Sequence, residues 1–182
     1  MRISGGSLRG RHVQVPQGII RPAMDRMRES VFAKLGDLSQ CAFLDMFSGS
    51  GIIALEAASR GADPIEAVEK DPLKRKTLIA NVAIAPVRIQ CRFMAVEHYI
   101  QRACRSFGVI FCDPPFAYRF KGELVKAIAA SPLIQTGSRL LLHRPQEDAY
   151  WEDLGAGFAL EKMVLEESKC YGRSVVDFFL GV

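Results

Sequence analysis

The sequence predicts an α/β fold, a doubly wound and mostly parallel sheet with a C-terminal antiparallel hairpin, preceded by a small N-terminal hairpin and helix. From residue 41 onward, short apolar runs alternate with amphipathic segments, and such alternation requires a parallel sheet with helices on both faces. The last two apolar runs are separated only by the turn CYGR, which indicates an antiparallel pair at one sheet edge. We therefore divide the chain into an N-terminal extension, residues 1–40, and a main domain, residues 41–182.

The N-terminal extension begins with two extended pieces and continues into a helix. The two pieces are RISGG and RHVQVP, joined through a Ser-Leu-Arg-Gly turn, which is the pattern of a hairpin. The helix is predicted over PAMDRMRESVFAKL, where apolar residues recur at helical spacing between Pro22 and Gly36.

The net positive charge of the chain lies in this extension. Residues 1–40 hold seven Lys and Arg against three Asp and Glu, whereas residues 41–182 hold seventeen of each. Arginine forks match phosphate oxygens and can stack on bases, so we expect a nucleic-acid-binding surface here. A plain solvated basic face is the alternative. The candidate binding residues are the six arginines of the extension: Arg2, Arg9, Arg11, Arg21, Arg26 and Arg28.

The main domain alternates strands and helices in chain order. The predicted parallel strands are CAFLDMF, PIEAVE, VRIQCRFM, GVIFC and SRLLLH. The predicted helices between them are IIALEAASR, DPLKRKTLIANV, VEHYIQRACRSF and FKGELVKAIAAS. The final hairpin is formed by FALEKMVLEES and SVVDFFLGV.

Composition argues against several classes of protein. The five cysteines form no CxxC pair and the three histidines are scattered, so we expect neither a disulfide framework nor a metal site. No apolar run approaches the roughly 20 residues that span a bilayer, and the N-terminus lacks the apolar core of a signal peptide. We expect a cytoplasmic, monomeric protein without metal or membrane contact.

A glycine-rich turn follows the first predicted strand of the main domain. Gly49-Ser-Gly51-Ile-Ile-Ala54 fits G-x-G-x-x-G/A, and Glu69 follows Gly49 by 20 residues, at the end of the next strand. The glycines let a ligand approach the backbone, and Glu69 can bind two ribose hydroxyls. The pattern predicts a nucleotide-like ligand with a free ribose, and a mere strand-to-helix turn is the alternative.

An acid beside the turn distinguishes between two such ligands. Asp45 lies at the end of the same strand, where it would repel a pyrophosphate but attract a ligand that carries a cation. S-adenosylmethionine has an ammonium, a sulfonium and an unphosphorylated ribose. The sequence therefore favours S-adenosylmethionine over NAD, and a nicotinamide-dependent oxidoreductase is the competing hypothesis.

The fourth predicted strand ends in a second motif, Asp113-Pro114-Pro115-Phe116. Each proline fixes its own φ and forces the preceding residue into an extended conformation. The fourth strand neighbours the first in a doubly wound sheet, so we expect Asp113 near Gly49. The Asp113 carboxylate and the Pro114 carbonyl could then hold the hydrogens of a planar amine, with Phe116 stacked on its base. A rigid strand stop is the alternative.

Several motifs together carry a resemblance to a known family. They are Asp45-Met-Phe47-Ser-Gly49-Ser-Gly51, Leu55-Glu56-Ala57, Ser59-Arg60-Gly61-Ala62, Glu69 with Asp71, Asn81, Asp113-Pro-Pro-Phe116, Arg21-Pro22, Asp25-Arg26, Arg28-Glu29 and Tyr171-Gly172. With these residues the chain resembles the RsmD family, bacterial methyltransferases that modify the N2 amino group of a guanine in 16S ribosomal RNA. The chain departs from the usual family pattern at Ala23, at Met94 and at His143.

The resemblance implies a Rossmann-like class I methyltransferase fold, S-adenosyl-L-methionine as cofactor with S-adenosylhomocysteine as product, and ribosomal RNA in an assembling small subunit as partner. The six arginines of the extension would bind that RNA. The cofactor-binding residues would be Asp45, Phe47, Ser48, Gly49, Gly51, Glu69, Lys70, Met94, Ala95 and Asp113. The catalytic residues would be Asp113, Pro114, Pro115 and Phe116.

Three alternatives share this fold. The DPPF motif also serves adenine N6 methylation of DNA and glutamine methylation of release factors. The short chain has no room for a separate DNA-reading domain, and its basic extension disfavours a protein substrate. A non-catalytic RNA-binding domain is the third alternative, which the intact Asp113-Pro-Pro sequence disfavours.

Overall fold

The computed structural model describes residues 1–15, 22–148, 150, 160 and 162–182. The predicted RNA-binding residue Arg21 lies outside the described residues, as do several positions at the start of the predicted strand FALEKMVLEES. The described helices are α1 (Pro22–Leu35), α2 (Ile52–Ser59), α3 (Arg75–Val82), α4 (Val96–Gln101) and α5 (Lys121–Ala130). The strands are β1 (Phe43–Met46), β2 (Ile65–Val68), β3 (Ile89–Arg92), β4 (Val109–Cys112), β5 (Arg139–Pro145), β6 (Met163–Tyr171) and β7 (Ser174–Gly181).

In the described part of the chain, seven strands form one sheet in the order β3-β2-β1-β4-β5-β7-β6. The pairs among β1 to β5 are parallel, and β7 is antiparallel to both β5 and β6. The order of the strands reverses between β1 and β4, which creates a switch point at their carboxyl ends. The predicted doubly wound sheet with a C-terminal antiparallel hairpin is confirmed.

The central strands are buried because helices cover both faces of the sheet. All four residues of β1 and all four of β4 are buried. Such strands are continuous apolar runs, as expected for the interior of a parallel sheet. Asp45 is the exception in β1, and an acid at a fully covered position needs hydrogen bonds to offset its desolvation.

One predicted helix divides into two pieces. The segment DPLKRKTLIANV contains a 3₁₀ turn, Pro72–Lys74, followed by α3. Asp71 caps that turn, because its Oδ1 accepts a hydrogen bond from Leu73 N at 2.9 Å.

Among the described helices, none is both long and apolar enough to cross a bilayer.

The N-terminal extension begins with a small hairpin, as predicted. Arg2 and His12 form an antiparallel bridge, and Val13 N donates to Met1 O at 2.9 Å. Ile3 and Val13 are buried in the same apolar cluster as residues of α1, α2 and β1. The hairpin therefore packs on the sheet side that carries α2.

A buried acid of α2 anchors this hairpin. Glu56 is fully buried, and its Oε1 accepts from Ser4 N at 2.7 Å and from Arg28 Nε at 2.8 Å. Its Oε2 accepts from Ser4 Oγ at 2.9 Å and pairs with Arg60. Glu56 lies on α2, and it accepts hydrogen bonds from the hairpin and from α1. It therefore joins these three elements.

A tight backbone approach completes the anchorage. Gly6 has φ +74°, and a Cβ on it would lie 1.9 Å from Ser59 O at the end of α2. The neighbouring Ser7 N donates to that same carbonyl at 2.7 Å. Gly6 is thus required both by its backbone conformation and by the space available.

Candidate active site

The carboxyl ends of β1, β2 and β4 meet at the switch point. Asp113 N donates to Met46 O at 3.3 Å, and Ser48 N donates to Val68 O at 2.9 Å. These bonds place the Asp113 motif and the glycine turn side by side. The structure therefore brings together the two motifs that the sequence predicts to be adjacent.

The glycine turn has an unusual backbone. Phe47, Gly49 and Gly51 have φ values of +62°, +58° and +82°. A Cβ on Gly51 would lie 2.7 Å from Leu78 Cδ1, so α3 packs directly against the turn. A Cβ on Gly49 would meet only Phe47 O, at 3.9 Å, so Gly49 is selected by its φ and leaves its surroundings open.

Glu69 is held in place by the backbone around it. Its Oε2 accepts from Gly49 N at 2.8 Å, and its Oε1 accepts from Asp71 N at 2.8 Å. Lys74 Nζ lies 3.6 Å from Oε2. Each carboxylate oxygen has a further lone pair, so this oriented acid can still accept two hydroxyl hydrogens. Lys70, the next residue, is exposed.

Asp45 is almost completely buried at the base of the turn. Its Oδ2 accepts from Ser48 Oγ at 2.6 Å and from Ala54 N at 3.2 Å. Its Oδ1 is buried and has no hydrogen-bond partner in the described residues. Burial raises the pKa of Asp45 to about 7, and the nearby charges of Asp113 and Glu69 act in the same direction. A cationic ligand group beside Oδ1 would offset this cost, so the acid fits such a ligand.

The third part of the predicted cofactor site follows β3. Met94 is partly buried and packs against a buried apolar cluster to which β4 and α5 contribute residues. Ala95 precedes α4 in an extended conformation, with φ −65° and ψ 143°. Met94 and Ala95 follow β3, and the glycine turn follows β1. Because β1 and β3 belong to the parallel part of the sheet, both segments lie at the edge where the strands have their carboxyl ends.

The Asp113-Pro-Pro-Phe motif directly follows β4 and lies beside the glycine turn. The Asp113 side chain is 23% exposed, Pro114 is buried and Pro115 is exposed. Phe116 is partly buried, and the chain then turns, because Tyr118 N donates to Pro115 O at 2.7 Å. The Asp113 side chain is thus partly exposed, on a segment that two prolines make rigid.

His143 is a neighbour of Asp113 that the sequence reasoning did not assign. Its Nδ1 lies 2.7 Å from Asp113 Oδ1, and its side chain is 1% exposed. Its ring also contacts Phe116, with centroids 5.6 Å apart. The parallel register pairs Cys112 with Leu142, so the next residues of β4 and β5 are adjacent. The sequence signal that could have identified the pair is that the predicted strands GVIFC and SRLLLH, if aligned at their starts, bring Asp113 and His143 to the same level.

Lys121 is a second residue that the sequence did not reveal. Its ammonium is buried, pairs with Asp148 at 2.6 Å, and donates to the carbonyls of Phe116 and Tyr118. It therefore fixes the backbone directly after the prolines. Its carboxylate partner follows β5 in an irregular connection, so no local pattern links the two residues.

The predicted RNA-binding arginines divide into two groups. Arg2, Arg9, Arg11 and Arg26 are exposed, and a groove of about 510 Å³ runs between the hairpin and α1. Arg28 differs from these four, and its RNA-binding role stays a prediction. Its side chain is 4% exposed and is bound to Glu56, to Asp25 and to the Arg2 carbonyl, so each of its nitrogens already has an acceptor within the protein.

Residues 1–15, 22–148 and 162–182 contain no group of His, Cys, Asp and Glu side chains that could hold a metal ion. Cys112, which neighbours Asp113, is fully buried and burial raises the pKa of its thiol. It is a core residue, as its alternation with Asp113 predicts.

Several known proteins are similar in sequence to this chain, each over a different length. The small-subunit ribosomal RNA methyltransferase D of Escherichia coli K12 is 35% identical over 121 residues, which are 64% of this chain and 60% of that protein. The chain thus spans less than two thirds of that relative. The putative rRNA methyltransferase YlbH of Bacillus subtilis is 25% identical over 98% of both chains. A tRNA1(Val) (adenine(37)-N6)-methyltransferase of Haemophilus influenzae is 34% identical over 85 residues, 44% of this chain and 37% of that protein.

Solved structures share the fold over the whole chain. The putative methyltransferase yhhF of Escherichia coli superimposes with a TM-score of 0.84 at 23% identity, covering 100% of this chain and 97% of that one. The hypothetical protein TTHA0928 of Thermus thermophilus has a TM-score of 0.79 at 30% identity, with 100% and 99% covered.

A family described as "Conserved hypothetical protein 95" matches residues 1–179. Because this match takes in the hairpin, the glycine turn and the Asp113 motif alike, the chain belongs to that family, the RsmD family of methyltransferases.

Proposed function

We propose that this protein transfers a methyl group from S-adenosylmethionine to the exocyclic N2 amine of a guanine in small-subunit (16S) ribosomal RNA. Membership of the RsmD family supports methyl transfer to RNA. The observation that carries the proposal is the position of the Asp113-Pro114-Pro115-Phe116 motif beside the glycine turn, joined by the bond from Asp113 N to Met46 O.

The residues around the glycine turn fit S-adenosylmethionine. Asp45 Oδ1, which is buried and has no partner in the described residues, would bind the cationic end of the cofactor, and Glu69 would accept its ribose hydroxyls. The backbone from Phe47 to Gly51 would lie against it, since Gly49 leaves that approach open. When bound, the cofactor supplies an activated methyl group together with its own leaving group.

The amine of guanine is a weak nucleophile because its lone pair is delocalised into the ring. One oxygen of Asp113 and the carbonyl of Pro114 would hold its two hydrogens, which favours a pyramidal nitrogen with a localised lone pair. The nitrogen–carbon bond then forms as the carbon–sulfur bond breaks, and the nitrogen releases a proton to the Asp113 carboxylate or to solvent. Alignment of the reacting atoms at about 3–3.5 Å provides most of the rate gain.

The substrate must present an unpaired or flipped base, because an amine inside a duplex cannot reach the switch point. Phe116 would stack on that base from its partly buried position. The exposed arginines Arg2, Arg9 and Arg11 would bind phosphates beyond the target nucleotide. We propose that residues 1–40 act as the RNA-binding extension, residues 41–182 as the transfer domain, and the assembling small subunit as the partner of a cytoplasmic monomer.

One alternative is supported by a specific observation. The chain matches an adenine N6 methyltransferase over 85 residues. Methylation of adenine N6 is chemically comparable to methylation of guanine N2, because both nitrogens are planar amines. The same two acceptors could hold the hydrogens of adenine N6. The identity of the methylated nucleoside distinguishes the two substrates.

The experiment is transfer of a radiolabelled methyl group to small-subunit RNA, supplied naked and as assembled particles, followed by nucleoside analysis. We expect N2-methylguanosine with the wild type and at least a roughly 100-fold lower rate with Asp113→Ala, in the range of acid–base and positioning effects. Asp37→Asn is the control, since Asp37 is exposed and precedes β1.

Other outcomes contradict specific parts of the proposal. N6-methyladenosine would replace guanine by adenine as the target. Equal incorporation by wild type and Asp113→Ala would remove the role of Asp113. RNA binding without transfer to any acceptor would favour the non-catalytic alternative.

A further inference from the structure

We propose that His143 is a positioning residue for methyl transfer: it holds Oδ1 of Asp113 so that the second carboxylate oxygen, Oδ2, is presented to the substrate amine. This inference rests on the proposed function, because it assigns His143 a task in the same reaction.

The contact between the two side chains is short and shielded. His143 Nδ1 lies 2.7 Å from Asp113 Oδ1, and the exposed fractions are 1% for the His143 side chain and 23% for Asp113. A carboxylate only accepts hydrogen bonds, so the histidine must carry its proton on Nδ1. The buried imidazole thus donates to the carboxylate, while part of the Asp113 side chain remains exposed.

The surroundings show that His143 is not an ordinary core residue. The preceding β5 residues Leu140, Leu141 and Leu142 are all 0% exposed, and an imidazole at the next position is costly to bury. Its Nε2 is one of two buried side-chain polar atoms without a hydrogen-bond partner in the described residues, the other being Asp45 Oδ1. A polar ring at this position therefore has a single described bond to offset its burial, the bond to Asp113.

The same ring contacts the other side chain that the proposed reaction assigns to the base. The rings of His143 and Phe116 meet edge to face, with centroids 5.6 Å apart and planes at 66°. One buried imidazole therefore restrains both Asp113 and Phe116. With Oδ1 engaged, rotation of the carboxylate would break the bond, so Oδ2 keeps a fixed direction before the substrate arrives. Such prior alignment raises kcat and leaves ground-state binding little changed.

Three substitutions separate positioning from packing. In His143→Asn the side-chain amide nitrogen can take the place of Nδ1 and keep the donor. In His143→Gln the amide nitrogen lies nearer the place of Nε2, and in His143→Leu the donor is lost. We expect kcat to fall roughly 10- to 100-fold in the Leu and Gln variants, the loss expected for a hydrogen bond to a charged group. We expect the Asn variant to remain within about 5-fold of wild type, by the same estimate.

The KM values for RNA and for S-adenosylmethionine should change less than about 3-fold in all three variants, because the bond acts on alignment alone. His98→Leu is the matched control, since His98 is exposed on α4. In the Asp113→Ala background, His143→Leu should lower kcat no further, because the two residues act as one unit.

A measurement that needs no activity tests the same bond. Nitrogen NMR of the histidine rings should show His143 with its proton on Nδ1 in the wild type, and a changed protonation pattern in Asp113→Ala. A proton on Nε2 in the wild type would overturn the proposal, as would equal kcat values for wild type and His143→Leu, or equal losses in the Asn and Leu variants. A wild type that methylates no acceptor would overturn the proposed function, and the positioning role with it.

Discussion

Asn81 of α3 binds the backbone of Gln14 at both polar groups: its Oδ1 accepts from Gln14 N at 3.0 Å and its Nδ2 donates to Gln14 O at 2.8 Å. The same Nδ2 donates to Ser50 O at 2.8 Å, inside the glycine turn. One buried amide therefore connects the N-terminal extension to the turn that we propose to hold the cofactor.

Replacement of Asn81 should affect stability and cofactor binding together. We expect Asn81→Ala to lower the free energy of unfolding by about 1–3 kcal/mol, because it leaves backbone groups of Gln14 and Ser50 unpaired. S-adenosylmethionine should also bind more weakly. Urea denaturation and calorimetric titration measure the two effects. Gln14→Ala is the control, since the bonds involve only the backbone of Gln14, and an equal loss in that variant would contradict this account.

The second prediction concerns the pH dependence of cofactor binding. Burial raises the pKa of Asp45 to about 7 in the cofactor-free protein, so the side chain is mostly neutral below that pH and mostly ionised above it. A cationic ligand binds the ionised form. We therefore expect the affinity for S-adenosylmethionine to fall about tenfold per pH unit below about pH 7 and to level off above it, as proton linkage requires.

Calorimetric titrations between about pH 5.5 and 8.5 cover this range on both sides of the shifted pKa. The Asp45→Asn variant should bind weakly at every pH and without the slope, because its amide does not titrate. A wild-type affinity that is independent of pH would show that Asp45 does not bind the cation.

The third prediction separates phosphate-binding arginines from structural ones. Arg9→Ala combined with Arg11→Ala should weaken RNA binding and reduce the salt dependence, by about 0.7–0.9 in log–log slope for each lost phosphate contact. The affinity for S-adenosylmethionine and the unfolding free energy should stay unchanged, because both side chains are exposed. Filter binding over a salt series gives the slope, and an unaltered slope would reduce this surface to a solvated basic face.

Arg28 provides the contrast to these two residues. Its Nε, Nη1 and Nη2 donate to Glu56, Asp25 and the Arg2 carbonyl, each at 2.8 Å. Arg28→Ala should therefore lower the unfolding free energy by about 3 kcal/mol, the cost of breaking a buried ion pair. Arg28→Lys should restore little of it, because an ammonium cannot span three acceptors. A stable Arg28→Ala protein with weakened RNA binding would favour the original assignment.

The sequence predicted those features that depend on local pattern. The doubly wound parallel sheet, the C-terminal hairpin and the closeness of Asp113 to the glycine turn follow from apolar runs, turn residues and the topology of parallel sheets. The pair Asp113–His143 was within reach, because the fourth and fifth strands are parallel neighbours and Cys112 lies opposite Leu142, so the two following residues are side by side.

The burial of Arg28 and the missed residue Lys121 depend on information that the pattern lacks. Counting charges treats every arginine of the extension as exposed, but Arg28 lies beside Met27 on the buried side of α1 and pairs with an acid of α2. Lys121 and Asp148 meet only after α5 and β5 have folded between them, so their ion pair is a product of tertiary structure. Such long-range pairs have no periodicity to detect.

The fourth prediction uses two glycines of the hairpin as a matched pair. Gly6 and Gly10 both have positive φ, +74° and +82°, but a Cβ on Gly6 would lie 1.9 Å from Ser59 O, whereas a Cβ on Gly10 would meet no atom within 4 Å. We expect Gly10→Ala to cost about 1–2 kcal/mol of stability, the strain of a left-handed backbone. Gly6→Ala should cost clearly more, because the hairpin must also move away from α2. Thermal unfolding compares the two, and equal losses would mean that the hairpin is not held against α2.

The bonds of Glu56 have a consequence for protein engineering. The acid lies on α2, which follows the glycine turn, while its donors Ser4 and Arg28 lie in the N-terminal extension. The extension and α2 therefore share one buried charge. A chimera that exchanges only the N-terminal extension between two relatives would keep this charge paired only where the incoming extension supplies the same two donors. Transfer of the hairpin, α1 and α2 as one piece would keep all of these bonds together.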